Sequence, residues 1–294
     1  MAPDSSAIDL VIDGRARDLG DGFMIRRVLP YAGRRTVGPF IFFDHIGPVD
    51  IGPERGMDVR PHPHIGLATV TYLFEGAIMH RDSLGCVQVI RPGDVNWMTA
   101  GRGIVHSERI DPELRREAGR VHGIQTWLAL PQAHEETEPS FSHHPKDTLP
   151  SFTRGEVSLR LIAGRAFEHE SPVRTFSRMF YLAAEMPAGS RLEMPTEGQE
   201  AAVYVASGEV ELDGRAFGVG AMVVLASGAA LSLQARAEAR LLLLGGEPTD
   251  GTRFIWWNFV SSSRERLEQA KAAWREERFP AVPGDPERIP LPEG

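Results

Sequence analysis

The sequence predicts an all-β protein: a barrel or sandwich of antiparallel strands built twice over and closed by one C-terminal helix. Three observations predict it. The 30 Gly and 22 Pro are spread along the 294 residues as punctuation between short apolar runs, a pattern of strands and turns rather than of long helices. Those runs form two series, divided by a polar, proline-rich stretch. The second series also matches the first as a diverged repeat.

From about residue 8 to 130 the strand-like runs are IDLVI, FMIRRVL, PFIFFDHI, LATVTYLFEG, CVQVIRPGD, VNWMTAG, GIVHSERI and VHGIQTWLAL. Their regular spacing between Gly, Pro and Asp turns suits a barrel or sandwich. Residues 131–152, PQAHEETEPSFSHHPKDTLPSF, read as a linker or long crossing loop. After it come VSLRLIAG, RMFYLAAEMP, AAVYVASGEVEL, AMVVLAS, LSLQA and ARLLLLGG. The expected division is therefore 8–140 for the first domain and 141–294 for the second with the helix and tail. SSSRERLEQAKAAWREERF reads as that helix, with Ser262 as N-cap, Glu265 three residues on, and Leu267, Ala270 and Trp274 as an apolar stripe. It is expected to dock outside a barrel, and the Pro-rich tail after Phe279 cannot continue it.

Composition excludes several functions. A net charge of -8 and a pI near 5.7 argue against nucleic acid as a direct partner. The single cysteine, Cys86, excludes an internal disulfide framework and fits a reducing compartment. MAPDSSAIDL has no basic region followed by an apolar run, and no stretch approaches a membrane span. A cytoplasmic location and no membrane association are expected.

The repeat appears when TVTYLFEGAI (residues 69–78) is laid over AAVYVASGEV (residues 201–210). Tyr72 then falls on Tyr204, Gly76 on Gly208 and, after a shorter loop, Gly93 on Gly220. Carried backward, the same offset places His62-Pro63-His64 on Met194-Pro195-Thr196, while His106 and Glu108 fall near Leu233 and Ala235. The second domain is thus expected to be the same barrel without a polar cluster.

That cluster is the candidate site. RPHPHIG carries His62 and His64, and GIVHSERI carries His106 and Glu108, each pair two residues apart. Residues two apart in a strand face the same way, so the two strands side by side bring four ligands to one interior. Three imidazoles and a carboxylate suit Fe, Mn, Co, Ni, Cu or Zn better than Mg or Ca. Around an octahedral ion they leave two positions open. His80 and Asp82 in MHRDSLG could line the mouth of this site or form an ordinary hairpin turn. His45 and His122 are expected as hydrogen-bonded core groups, His143 and His144 as surface residues, and Cys86 as a small hydrophobe.

The pattern Gly56, His62-x-His64, Pro92-Gly93-Asp94 and His106 resembles the two-part motif of the cupin superfamily. PHPHIGLATVTYLFEG with DVNWMTAGRGIVHSE, and the tail FIWWNFVSSSRERLEQAKAAWREERFP, resemble the pirin family, including bacterial members with quercetinase activity. The resemblance implies a bicupin of two stacked jelly-roll barrels. In its N-terminal barrel a single metal, usually Fe(II), is held by His62, His64, His106 and Glu108. The carboxylate that often follows HxH in cupins is absent from IGLAT (Ala68, Thr69), which leaves Glu108 to supply the charge.

The function implied is a metal-dependent dioxygenase that opens the ring of a flavonol such as quercetin with O2, with Glu108 as catalytic base. Phe40, Phe42 and Trp97 are candidate walls, though each suits the core. The alternative is a non-enzymatic, redox-sensing regulatory module that binds a protein partner. A zinc hydrolase is a third reading, which lacks a base at recognisable spacing.

Overall fold

The structure, a computed structural model, describes residues 6–19, 23–52, 56–117, 119–195, 199–228 and 231–293. It comprises two compact units. The first holds Ala16–Ile25, Asp44–Lys146 and the chain from Thr249 onward; the second holds the chain up to Arg15, Arg26–Phe43 and Asp147–Pro248.

In the first unit, a four-stranded sheet runs in the order Asp58–His64, Ile104–Ile110, Ile78–Asp82, Val87–Ile90. Asp58–His64 is its edge strand, the place where Pro61 and Pro63 cost no ladder hydrogen bond. A larger sheet has there the order Ser140–His144, Val95–Thr99, Leu67–Glu75, Arg120–Ala129. Leu67–Leu73 is buried on both faces, so it reads as a continuous apolar run rather than an alternating one.

The second unit repeats this order. Its small sheet runs Arg191–Glu193, Ser232–Ala235, Glu209–Leu212, Arg215–Gly218. Its larger sheet runs Ile8–Asp13, Ala221–Leu225, Glu200–Ser207, Ala239–Gly246, Met179–Met186, Val157–Ala166, Ser151–Arg154. Leu192, Val210, Leu212 and Leu233 from the one sheet share a core with Leu182, Val203 and Leu243 from the other.

The repeat survives at its turns. Gly76 and Gly208 have φ of 86° and 78°, and Gly93 and Gly220 have 85° and 94°, left-handed conformations that favour glycine at all four. Tyr72 pairs with Val95 as Tyr204 pairs with Met222. The histidine positions, however, differ from the expected alignment by two residues. His62 pairs with His106, and its counterpart opposite Leu233 is Leu192. His64 pairs with Ile104, and Met194 N–H donates to Leu231 O at 2.9 Å. Met194 therefore stands for His64, and no proline is matched; Thr196 lies outside the described residues. A shift of two preserves the face, so the inward positions stay apolar.

The expected division also changes. Ile8–Asp13 pairs with Ala221–Leu225 in the second unit, and the C-terminal helix belongs to the first. Residues 131–152 are not simply a linker. Ser140–His144 pairs with Val95–Thr99 along five positions, and His143 Nδ1 lies 2.7 Å from Asn96 Oδ1. Sheet edges are completed by whichever segment reaches them, which chain order does not disclose. A short helix, Pro112–Glu117, is a further addition.

The C-terminal helix, Arg264–Arg275, buries Leu267, Ala270 and Trp274 as expected. They pack with Ile65 and Val105 from the outer face of the small sheet. Its N-cap is Ser263, whose side chain accepts from Arg266 N–H, rather than Ser262. Ser262 gives its N–H and hydroxyl to the Glu135 carboxylate instead. Among the described residues no helix is long and apolar enough to cross a membrane.

Candidate metal centre

Alternation along Ile104–Ile110 sorts its side chains. His106 and Glu108 face the interior, 1% and 5% exposed. Ser107 and Arg109 face outward, where the Asp285 carboxylate accepts from both. On the neighbouring strand His62 and His64 face inward, and the His62↔His106 register sets the rings beside one another. Their centroids lie 4.4 to 4.9 Å apart. Each offers a nitrogen within 4.8 Å of the others, the geometry of ligands to one ion.

The hydrogen bonds decide which nitrogen. His62 Nδ1 lies 2.9 Å from the Arg60 carbonyl oxygen, and His64 Nδ1 lies 3.2 Å from that of Asn258. A carbonyl only accepts, so in each neutral ring the proton is assigned to Nδ1 and Nε2 presents a lone pair. His64 Nε2 is 3.0 Å from His106 Nε2. Burial pushes the His62 pKa below the ordinary 6.5 and those of His64 and His106 well below it; charge on the neighbouring imidazoles pushes the latter two further down. Buried neutral imidazoles converging at this distance fit a bound cation, because a cation satisfies lone pairs that otherwise repel.

Glu108 is inward but engaged elsewhere. Thr71 Oγ1 donates to its Oε1 at 3.2 Å and Gln125 Nε2 to its Oε2 at 2.5 Å. It stands outside the group of donor atoms that one ion spans. Thr71 and Gln125 were not foreseen, although a polar residue at an inward position of an apolar strand was a readable signal. Trp127, two residues after Gln125, packs edge-on to His64 at 5.1 Å. The Asn258 carbonyl left no signal, since a backbone acceptor has no residue type.

The other candidates separate. His45 and His122 are buried and face one another, Nε2 to Nε2 at 2.8 Å, as expected for core groups. Phe40 and Phe42 belong to the second unit, where Phe40 meets Tyr181 edge-on. Trp97 is buried, with its indole N–H donated to Thr99. His80 and Asp82 are buried beside His106 rather than placed in an exposed turn.

The descriptions "Pirin" and "Pirin C-terminal cupin domain" match residues 22–128 and 181–280. A pirin-like protein of Caulobacter vibrioides is 51% identical over 97% of this chain and 100% of its own. The chain belongs to the pirin family. Another relative of this pirin, named "Putative quercetin 2,3-dioxygenase PA1205", from Pseudomonas aeruginosa, is 39% identical over 90% of this chain and 83% of its own. The crystal structure of quercetin 2,3-dioxygenase from Acinetobacter baumannii superposes with a TM-score of 0.90 at 33% identity, covering 97% of this chain and 95% of that one. The pirin fold here is thus a cupin fold carrying a histidine triad able to hold a metal.

Proposed function

We propose that this pirin is a metal-dependent dioxygenase that opens the ring of a flavonol such as quercetin, with Fe(II) as the metal. The observation that carries the reading is the convergence of the His62, His64 and His106 nitrogens within 4.8 Å in a closed interior. The names of the Pseudomonas and Acinetobacter relatives support the substrate class.

In this reading His62, His64 and His106 hold the ion through Nε2, and Glu108 joins them by turning from Gln125 and Thr71. Bound there, a divalent transition metal supplies Lewis acidity that lowers the pKa of the flavonol 3-hydroxyl, and redox contact with dioxygen. The residues do the rest. Glu108 accepts the hydroxyl proton at a carboxylate oxygen. Thr71 and Gln125 aim that carboxylate, and Gln125 offers it a return position once it is protonated. The Trp127 ring supplies an apolar wall beside His64, and burial keeps bulk water from the electron-rich enolate. Reaction of that enolate with O2 opens the ring and releases carbon monoxide.

One observation favours the regulatory module instead: the four side chains are only 1% to 6% exposed, so a planar substrate enters only after a local movement. A single experiment separates the readings. The purified chain, loaded with Fe(II) under nitrogen, is mixed with quercetin and air, and flavonol absorbance is followed beside metal analysis. The dioxygenase reading expects stoichiometric metal, turnover in wild type, none in His64→Ala, and a loss of about 100-fold or more in Glu108→Gln. Full metal occupancy without flavonol loss in wild type would overturn the dioxygenase reading.

A further inference from the structure

His80 and Asp82 have no part in the chemistry above, yet they are among the most buried polar groups of the unit, 3% and 0% exposed. Their strand, Ile78–Asp82, pairs with the His106 strand on the side away from His62, with His106 opposite Asp82 and Glu108 opposite His80. Asp82 Oδ1 accepts the backbone N–H groups of Leu84 and Cys86 at 2.9 and 3.1 Å. Asp82 Oδ2 lies 2.9 Å from His80 Nε2, and His80 Nδ1 lies 3.4 Å from His106 Nδ1. Phe141 stacks on the His80 ring at 4.3 Å, which fixes its plane.

Acceptor rules order the protons. A carboxylate only accepts, so neutral His80 carries its proton on Nε2 and leaves Nδ1 as an acceptor. A metal on His106 Nε2 leaves the His106 proton on Nδ1, facing that acceptor. Every donor in the line from His106 through His80 to Asp82 then meets an acceptor.

We propose that Asp82 and His80 form a buried hydrogen-bond relay that orients the His106 ring and makes its Nε2 a stronger metal donor. The inference rests on the metal-centre reading above. His62 and His64 lean on backbone carbonyls, whereas His106 reaches a carboxylate through a second ring, the kind of outer support that fixes tautomer and raises ligand basicity. The second unit supplies an independent observation. There Leu233 pairs with Leu212 and Ala235 with Val210, so where the ligand positions are apolar, the positions of Asp82 and His80 are apolar too. The same sheet stands without the pair, which separates it from the fold and links it to the histidines.

The test measures Co(II) affinity of the full chain by competition with a chromophoric chelator, with the visible spectrum of bound Co(II) and thermal unfolding of the metal-free chain in parallel. Asp82→Asn keeps the shape and the acceptor for Leu84 and Cys86, but turns an amide donor toward His80. The His80 proton is then driven to Nδ1, against the N–H of His106. Asp82→Asn is expected to weaken Co(II) binding about 10- to 100-fold and shift its spectrum, while unfolding of the metal-free chain barely moves. His80→Gln, which keeps a carbonyl acceptor for His106 without the carboxylate behind it, falls between the two. Affinity within about twofold of wild type and an unchanged spectrum in Asp82→Asn would overturn the relay. So would a loss that, in both variants, merely tracks unfolding of the metal-free chain. His64→Ala in the same assay keeps the two readings apart: Co(II) binding at wild-type strength there sinks the metal centre itself.

Discussion

Three imidazole rings converge on one point in the interior, and a proton added there has no water to solvate its charge, which makes the centre sensitive to pH. Burial holds the folded-state pKa of His62, His64 and His106 below the ordinary 6.5. Between the folded and unfolded values the unfolded chain binds more protons, so stability rises with pH across that window. It is undiminished above about pH 6.5 and falls as the pH drops below. The urea midpoint of the metal-free chain is therefore expected to fall between about pH 7.5 and pH 5.5. His106→Leu, the residue its counterpart position holds, is expected to flatten that dependence; an equally steep profile would assign it to other groups. His62, His64, His106 and Glu108 were legible as a set because strand parity is local. Their unequal engagement was not, since Thr71 and Gln125 reach Glu108 only across the barrel.

The strands that carry these histidines are held from behind by the C-terminal tail. Asp285 accepts from Ser107 at 2.7 Å and from Arg109 at 3.0 and 2.8 Å. Ile289 N–H donates to Pro61 O at 2.9 Å. Burial alone would raise the Asp285 pKa, but the hydrogen bonds from Arg109 and Ser107 outweigh it and hold the carboxyl below its usual range. Asp285→Asn removes the charge from a partly buried, hydrogen-bonded pair and is expected to cost about 1–3 kcal/mol, read as a lower urea midpoint at neutral pH. An unchanged midpoint would show the tail to be loosely attached. Nothing in GDPERIPL, residues 284–291, announces this role, because its partners lie far back in the chain. The helix before it was legible from Leu267, Ala270 and Trp274; its cap moved by one residue because Glu135, remote in sequence, claims Ser262.

Both units share one strand order, and only the first places histidines at the inward positions of its small sheet. In the second the equivalents of His62, His64, His106 and Glu108 are Leu192, Met194, Leu233 and Ala235, all within its apolar core. One equivalent of metal per chain is therefore expected from metal analysis of the loaded protein, and none in His62→Ala; two equivalents would locate a second centre. The all-β class, the repeated series of strands, the C-terminal helix and the HxH and HxE pairs were determined by the sequence alone, since turn residues, apolar periodicity and side-chain parity act over a few residues. Tertiary structure decided what depends on partners distant in the chain. It gave Ile8–Asp13 to the second unit and Ser140–His144 to the first, and shifted the repeat by two residues. It also set Asp82 and His80 behind His106, so that a turn-like MHRDSLG became part of the metal centre's support.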